Sequence, residues 1–129
     1  MYRVAVLVSG NGSNLQALID ACRGGELPAR ITKVVADRSG AYAVERARAV
    51  GIPTAVVPRR THGAALSDRV LQEVPEDTDL IVLAGFLSIL RGRILEVYAG
   101  RIINIHPALL PDFGGPGMYG MHVHRAVLA

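Results

Sequence analysis

The chain has 129 residues, half of them hydrophobic and 19% charged, a composition that excludes a disordered chain and is long enough to bury a real core. No apolar run nears the ~18 residues of a membrane span. The net charge of +3, from 14 basic and 11 acidic residues, is scattered: the densest spots, Arg59-Arg60 and Arg91-Gly92-Arg93, have no aromatic residue between them, so nucleic-acid binding is not expected.

Met1-Tyr2-Arg3 leads straight into Tyr2 to Val8, a Val-rich run that is too short for a signal peptide and is followed by no small-residue cleavage site. The single cysteine, Cys22, can form no internal disulfide. Both point to a cytoplasmic setting. The Tyr2 to Val8 run reads as a strand buried on both faces of a parallel sheet. Ser9-Gly10-Asn11-Gly12-Ser13-Asn14 follows, and then Leu15, Leu18, Ile19 and Cys22 recur at the spacing of one helix face, ended by Gly24-Gly25. On that face Cys22 is expected to be a buried, inert thiol. A glycine-rich loop joining a strand to a helix aims backbone amides at an anion on the helix N-terminus. Gly10 and Gly12 allow close backbone approach, while Ser13 and Asn14 add side-chain donors. Either of those two residues serves equally well as a plain N-cap.

Ile31 to Ala36 is the second strand, closed by Asp37. Ala41 to Val50 is a helix with Ala43, Ala47 and Val50 inward, stopped by Gly51-Ile52-Pro53. Thr54 to Val57 is a short third strand, Thr61 to Glu73 holds a third helix, and Leu80 to Ala84 is a fourth buried strand. An apolar loop, Gly85 to Leu90, leaves it. Ile94 to Tyr98 is a short helix, and Arg101 to Ile105 is the fifth strand. The alternation predicts an α/β, Rossmann-like fold: a mostly parallel sheet with helices on both faces and right-handed crossovers. The first three strands run outward from the first and the fourth lies on its other side, so the glycine loop and the Phe86–Leu90 loop open onto one crevice. No repeat or linker interrupts the chain, and residues 1–129 read as one domain. After Pro111 a Gly/Pro-rich loop leads to Met121–Ala129, which reads as the start of a helix. The alternation stops there unfinished, as in the N-terminal part of a longer fold.

The fifth strand runs into Asn104-Ile105-His106-Pro107. Asn104 and His106 are two apart and share a face of an extended strand. Pro107 biases His106 towards extended dihedrals. The pair offers a hydrogen-bond donor for an oxyanion and a titratable donor-acceptor at the edge where open α/β sheets bind ligands. No metal is expected: His122 and His124 have no third ligand at metal spacing.

Four motifs carry a resemblance: Ser9-Gly10-Asn11-Gly12-Ser13-Asn14-Leu15-Gln16, Leu83-Ala84-Gly85-Phe86, Tyr98-Ala99-Gly100-Arg101, and Asn104-Ile105-His106-Pro107-Ala108-Leu109-Leu110-Pro111. In this order the chain resembles the phosphoribosylglycinamide formyltransferases. The last motif is shared with methionyl-tRNA formyltransferases, which have a different first loop. The resemblance implies formyl transfer from 10-formyltetrahydrofolate, as co-substrate, to the amine of glycinamide ribonucleotide in purine biosynthesis. It implies small-molecule partners, no nucleic acid and no membrane, and leaves the oligomeric state open.

By motif, Gly12, Ser13 and Asn14 hold the substrate phosphate and Asn104 and His106 are the catalytic pair. Pro107 lines the ribonucleotide pocket. Leu87, Ser88, Ile89 and Leu90, with Leu83, Leu95 and Ile102 behind them, wall the folate pterin. The family often has Arg where Ser88 stands and another Arg near Ala64; neither is present. Its completing Asp falls after Ala129, so these residues alone are expected to transfer formyl poorly. The alternative is a nucleotide- or dinucleotide-binding module without formyl transfer, with Asp37 at the place of a ribose-binding acid. Against it, the third glycine of that fingerprint falls at Leu15.

Overall fold

A computed structural model describes residues 1–105 and 122–123. Its strands are β1 (Tyr2–Val8), β2 (Ala29–Ala36), β3 (Thr54–Val56), β4 (Leu80–Ala84), β5 (Ile102–Ile105) and β6 (His122–Val123). They form one sheet in the order β3-β2-β1-β4-β5-β6. The first five are parallel, and β6 runs antiparallel to β5. The chain steps outward from β1 to β3, then returns to the other side of β1, as the alternation of elements predicts. The carboxyl ends of β1 and β4, neighbours in the sheet, lie side by side.

The strongest sequence signal is β1, because it is covered on both faces. Val4 to Val8 are all buried. Val4, Val6 and Val8 pack with Leu15 and Ile19 of α1 (Ser13–Arg23) and with Ala43, Val44 and Ala47 of α2 (Tyr42–Ala49). Ala5 and Leu7 face the other way, into a second cluster. That cluster includes Leu66 and Val70 of α4 (Leu66–Glu73) and Ile94 of α5 (Arg93–Val97). The pleat alone explains this split, since successive side chains point to opposite faces. None of the described helices is long and apolar enough to cross a membrane.

Three expectations need correction. The helix expected over Thr61 to Glu73 is broken: α3 (Arg59–His62) gives way to a 3-10 turn at Gly63–Ala65 before α4 starts. Gly63 adopts φ 49°, outside the α-helical well, and the apolar period begins only at Leu66. Residues 122–123, expected at the start of a helix, form β6 instead, with Ile103 opposite Val123 and Asn104 opposite His122. The unpaired backbone of a sheet-edge strand is a template for such pairing, and local helical spacing does not sense it. The rest of the 121–129 stretch lies outside the described residues. Cys22 is half-buried rather than buried, packed at the margin of the α1 cluster.

Two measurements follow from this packing. Leu7→Ala empties a fully buried position and is expected to lower unfolding stability by about 2–5 kcal/mol in urea titrations, whereas Leu87→Ala, at an exposed position, stays within about 0.5 kcal/mol. Burial pushes the Cys22 thiol up. The folded state therefore holds that proton more tightly than the unfolded chain. This contribution to stability is fully present at neutral pH and is lost as pH rises through and beyond the ordinary thiol range. Iodoacetamide at about pH 8 is expected to alkylate Cys22 more slowly in the native protein than in urea-unfolded chain.

Candidate active site

The loop leaving β1 turns into α1 through Gly12, which is the N-cap at φ 87°. Two physical constraints demand glycine there. The left-handed backbone disfavours any side chain, and a Cβ at this position would lie 2.6 Å from Ala43 Cβ. The loop is thus pressed against the start of α2. The Ala43 N–H donates to the Gly10 carbonyl at 3.1 Å. Arg46, one turn further along α2, holds the loop from outside. Its guanidinium donates to the Asn11 carbonyl at 2.8 Å, to Asn11 Oδ1 at 2.7 Å and to Gln16 Oε1 at 3.3 Å. The same guanidinium sits 5.0 Å over the Tyr42 ring.

No side chain caps α1. Ser13 and Asn14 stand inside its first turn, so of the two sequence readings, capping and anion binding, capping is not what they do. Helix N-termini leave their first amides without intrahelical acceptors, and the macrodipole adds favourable potential for an anion there. An open helix N-terminus behind a glycine loop is a place where an anion can sit.

Beside the glycine loop stands the loop after β4. Asn14 Nδ2 lies 3.8 Å from the position a Cβ on Gly85 would take, so α1 begins against the end of β4. β5 is the next strand: Leu83 pairs with Asn104 and Ala84 with Ile105. Gly85 follows Leu83 by two residues, so Asn104 lies one strand over and two residues back from the point Asn14 approaches. Asn104 is 7% exposed. It alternates with Ile103 and Ile105, which pack towards the α1 and α2 cluster, and shares the face of Ile102, which packs with α4 and α5. His106 and Pro107 lie outside the described residues.

The 85–92 loop is pinned at several points. The Leu87 N–H donates to Ser9 Oγ at 2.7 Å, and the Arg91 N–H donates to Ser67 Oγ at 2.8 Å. Ser88 Oγ–H donates to Asp37 Oδ2. Leu90 is buried beside Leu83 and Ile102, with Leu95 packed against the same cluster. Leu87 and Ile89 instead project outward, 69% and 67% exposed. Beside them is a cleft of about 580 Å³, whose lining includes Arg59, Ser67, Ser88 and Arg91. The four residues expected to wall a pterin are therefore of two kinds: Ser88 and Leu90 anchor, and Leu87 and Ile89 are displayed. A larger cleft of about 690 Å³ opens at the amino edge of the sheet, lined by Met1, Arg3, Cys22 and Arg30 among others. It contains none of the sequence-predicted site residues.

Sequence reasoning did not find Ser9, Arg46 or Arg59 as parts of this site. Ser9 carries the weak signal of being a polar residue directly after a buried strand. Arg46 and Arg59 carry none, since their partners are distant in sequence. Asp37 is at the expected strand end, but it is fully buried and engaged by Ser88 and by Arg59, whose guanidinium is 3.6 Å away. It is not presented to a ribose. Among the described residues no cluster of His, Cys, Asp and Glu could hold a metal ion.

A family model described as Formyl transferase matches residues 2–129. The chain belongs to the formyl transferase family. Within that family it is 42% identical over 124 residues to phosphoribosylglycinamide formyltransferase of Haemophilus influenzae, covering 92% of this chain and 58% of the relative. It is 40% identical to the Escherichia coli enzyme of the same name, over 97% of this chain and 58% of that one. The crystal structure of glycinamide ribonucleotide transformylase 1 from Geobacillus kaustophilus superposes with a TM-score of 0.78 at 41% identity, over 90% of this chain and 63% of that one. The chain thus spans a little under two thirds of the length of these formyl transferase relatives.

The packing at Gly12 gives a paired test. Gly12→Ala meets both the backbone and the Ala43 constraint and is expected to lower stability by about 2 kcal/mol or more, while Gly10→Ala, with nothing among the described residues within 4 Å of the added carbon, changes it by less than about 1 kcal/mol in the same urea titration.

Proposed function

We propose that the protein transfers a formyl group from 10-formyltetrahydrofolate to the primary amine of glycinamide ribonucleotide, in the purine pathway. The observation that carries this reading is the uncapped start of α1, held by Gly12 on Ala43, at the same sheet edge as Asn104. A sugar phosphate seated on the amides of Gly12, Ser13 and Asn14 brings the rest of a ribonucleotide towards the end of β5. The relatives named phosphoribosylglycinamide formyltransferase support the choice of substrate. The burial of Asp37 tells against the dinucleotide reading, in which a strand-end acid binds a ribose.

The chemistry asks for few groups. The amine nitrogen attacks the formyl carbon, and the carbonyl oxygen becomes an oxyanion on a tetrahedral carbon. The Asn104 carboxamide donates a hydrogen bond to it, a contact worth about 2.7–4 kcal/mol in comparable sites. The bond from carbon to the folate nitrogen then breaks. The proton lost by the attacking amine reaches that departing nitrogen, and the His106 imidazole carries it directly or through water. Pro107 lines the ribonucleotide side. On the folate side, Leu87 and Ile89 offer apolar surface to the pterin, while Ser88 and Leu90 fix the backbone that presents them. The donor is a co-substrate, and no step calls for a metal. In this reading the domain acts on small molecules, in the cytoplasm.

The test is a transfer assay with both substrates, on a full-length version that carries the family's completing Asp. Asn104→Ala is expected to lower turnover by about 10²–10³-fold and His106→Ala by about 10²–10⁴-fold, with the ribonucleotide's affinity largely kept. Transfer that survives both changes overturns the assignment.

A further inference from the structure

We propose that Asp37 is a positioning residue that sets the 85–91 loop by holding Ser88; its consequence for the formyl donor rests on the function proposed above. Asp37 follows the last residue of β2 and is completely buried. Its backbone is fixed from both sides: its N–H donates to the Val8 carbonyl at 3.1 Å, and its carbonyl accepts the Arg59 N–H at 2.8 Å. Its side chain reaches further. Oδ2 accepts the Ser88 Oγ–H and lies 3.6 Å from the Arg59 guanidinium, while Oδ1 has no hydrogen-bond partner among the described residues.

In the sheet order, β2 and β4 are separated by β1. The Asp37–Ser88 contact therefore spans the end of β1. Directly beneath it Ser9, the residue after β1, takes the Leu87 N–H. Two neighbouring strands thus grip two neighbouring loop residues, Ser9 on Leu87 and Asp37 on Ser88. Leu87 and Ile89 flank Ser88 and are the displayed apolar pair.

A buried carboxylate is retained at a desolvation cost that a neutral residue would avoid. Here it does two things a neutral residue could not do together. It accepts the serine hydroxyl as a charge-assisted bond, and it balances Arg59. Arg59 lines the same cleft as Ser88 and Arg91, so the carboxylate fixes one wall of the cleft as well as its rim. The tie joins the end of β2 to the loop that carries the exposed apolar pair. Its loss should therefore loosen the loop before it unfolds the sheet.

The experiment is hydrogen exchange on the whole chain, read at residues 85–91, with tetrahydrofolate titration on the same samples. Asp37→Ala removes the acceptor. Ser88→Ala cuts the same tie from the other side and leaves Asp37 with Arg59, so it decides the matter if Asp37→Ala does not fold. Asp37→Asn restores an acceptor. Ser88→Ala and Asp37→Ala are expected to speed exchange at 85–91 by about tenfold or more, with β1 and α1 unchanged, and Asp37→Asn to recover much of the protection. Tetrahydrofolate affinity should fall in the same order, by about tenfold in the alanine variants, while glycinamide ribonucleotide affinity holds. Exchange at 85–91 equal to wild type in Ser88→Ala overturns the proposal, as does faster exchange spread evenly over the sheet. A wild-type protein that binds no tetrahydrofolate, yet shows the expected exchange pattern, overturns the donor reading and leaves the positioning role standing.

Discussion

The parallel pairing of β1 with β2 on one side and β4 on the other is the constraint on which the rest of the molecule depends. Parallel strands send all their exits to one edge. The reversal of direction at β1 leaves a crevice between the exits of β1 and β4. Nothing in the glycine loop or in the 85–92 loop is catalytic in itself. What makes them a candidate site is that the sheet delivers them to the same place. The hydrophobic burial of Val4 to Val8 on both faces is what holds β1 at the centre of that arrangement.

The two walls of the crevice are stiffened in different ways. The β1 side relies on close backbone contact: Gly12 on Ala43, reinforced by Arg46 reaching back to Asn11 and Gln16. The β4 side relies on hydroxyl and carboxylate groups that satisfy the loop's polar atoms from Ser9, Ser67 and Asp37. A cradle for phosphate needs its amides free and its backbone fixed, so side-chain ties on the outside of the loop suit it. A wall for a flat apolar ring needs apolar side chains outward, so the ties there are drawn from beneath. Preorganised groups of this kind do not have to be ordered when ligand binds.

Most of the architecture was readable before any coordinates, because β1, β2 and β4 are buried strands with near-continuous apolar text and α1 has a clean helical period. The strand order followed from alternation and handedness alone. What escaped was of one type. The break at Gly63 hides inside a stretch whose polar residues fit a helix as well as a turn. The pairing of His122–Val123 with β5 depends on an open strand edge that local periodicity does not register. Arg46, Arg59 and the burial of Asp37 depend on partners 22 to 51 residues away. The candidate site divides along the same line. The glycine loop and Asn104 announce themselves by position at strand ends, whereas the groups that hold those loops still have no local signature.

One edge of the sheet has a consequence of its own. β3 is three residues long and is bracketed by Pro53 and Pro58. Each proline lacks the amide hydrogen that an incoming segment would need for a ladder bond. A stranger's backbone arriving at this margin finds a very short landing strip with a non-donor at either end. This margin of the sheet is thereby blunted against pairing edge to edge with another strand.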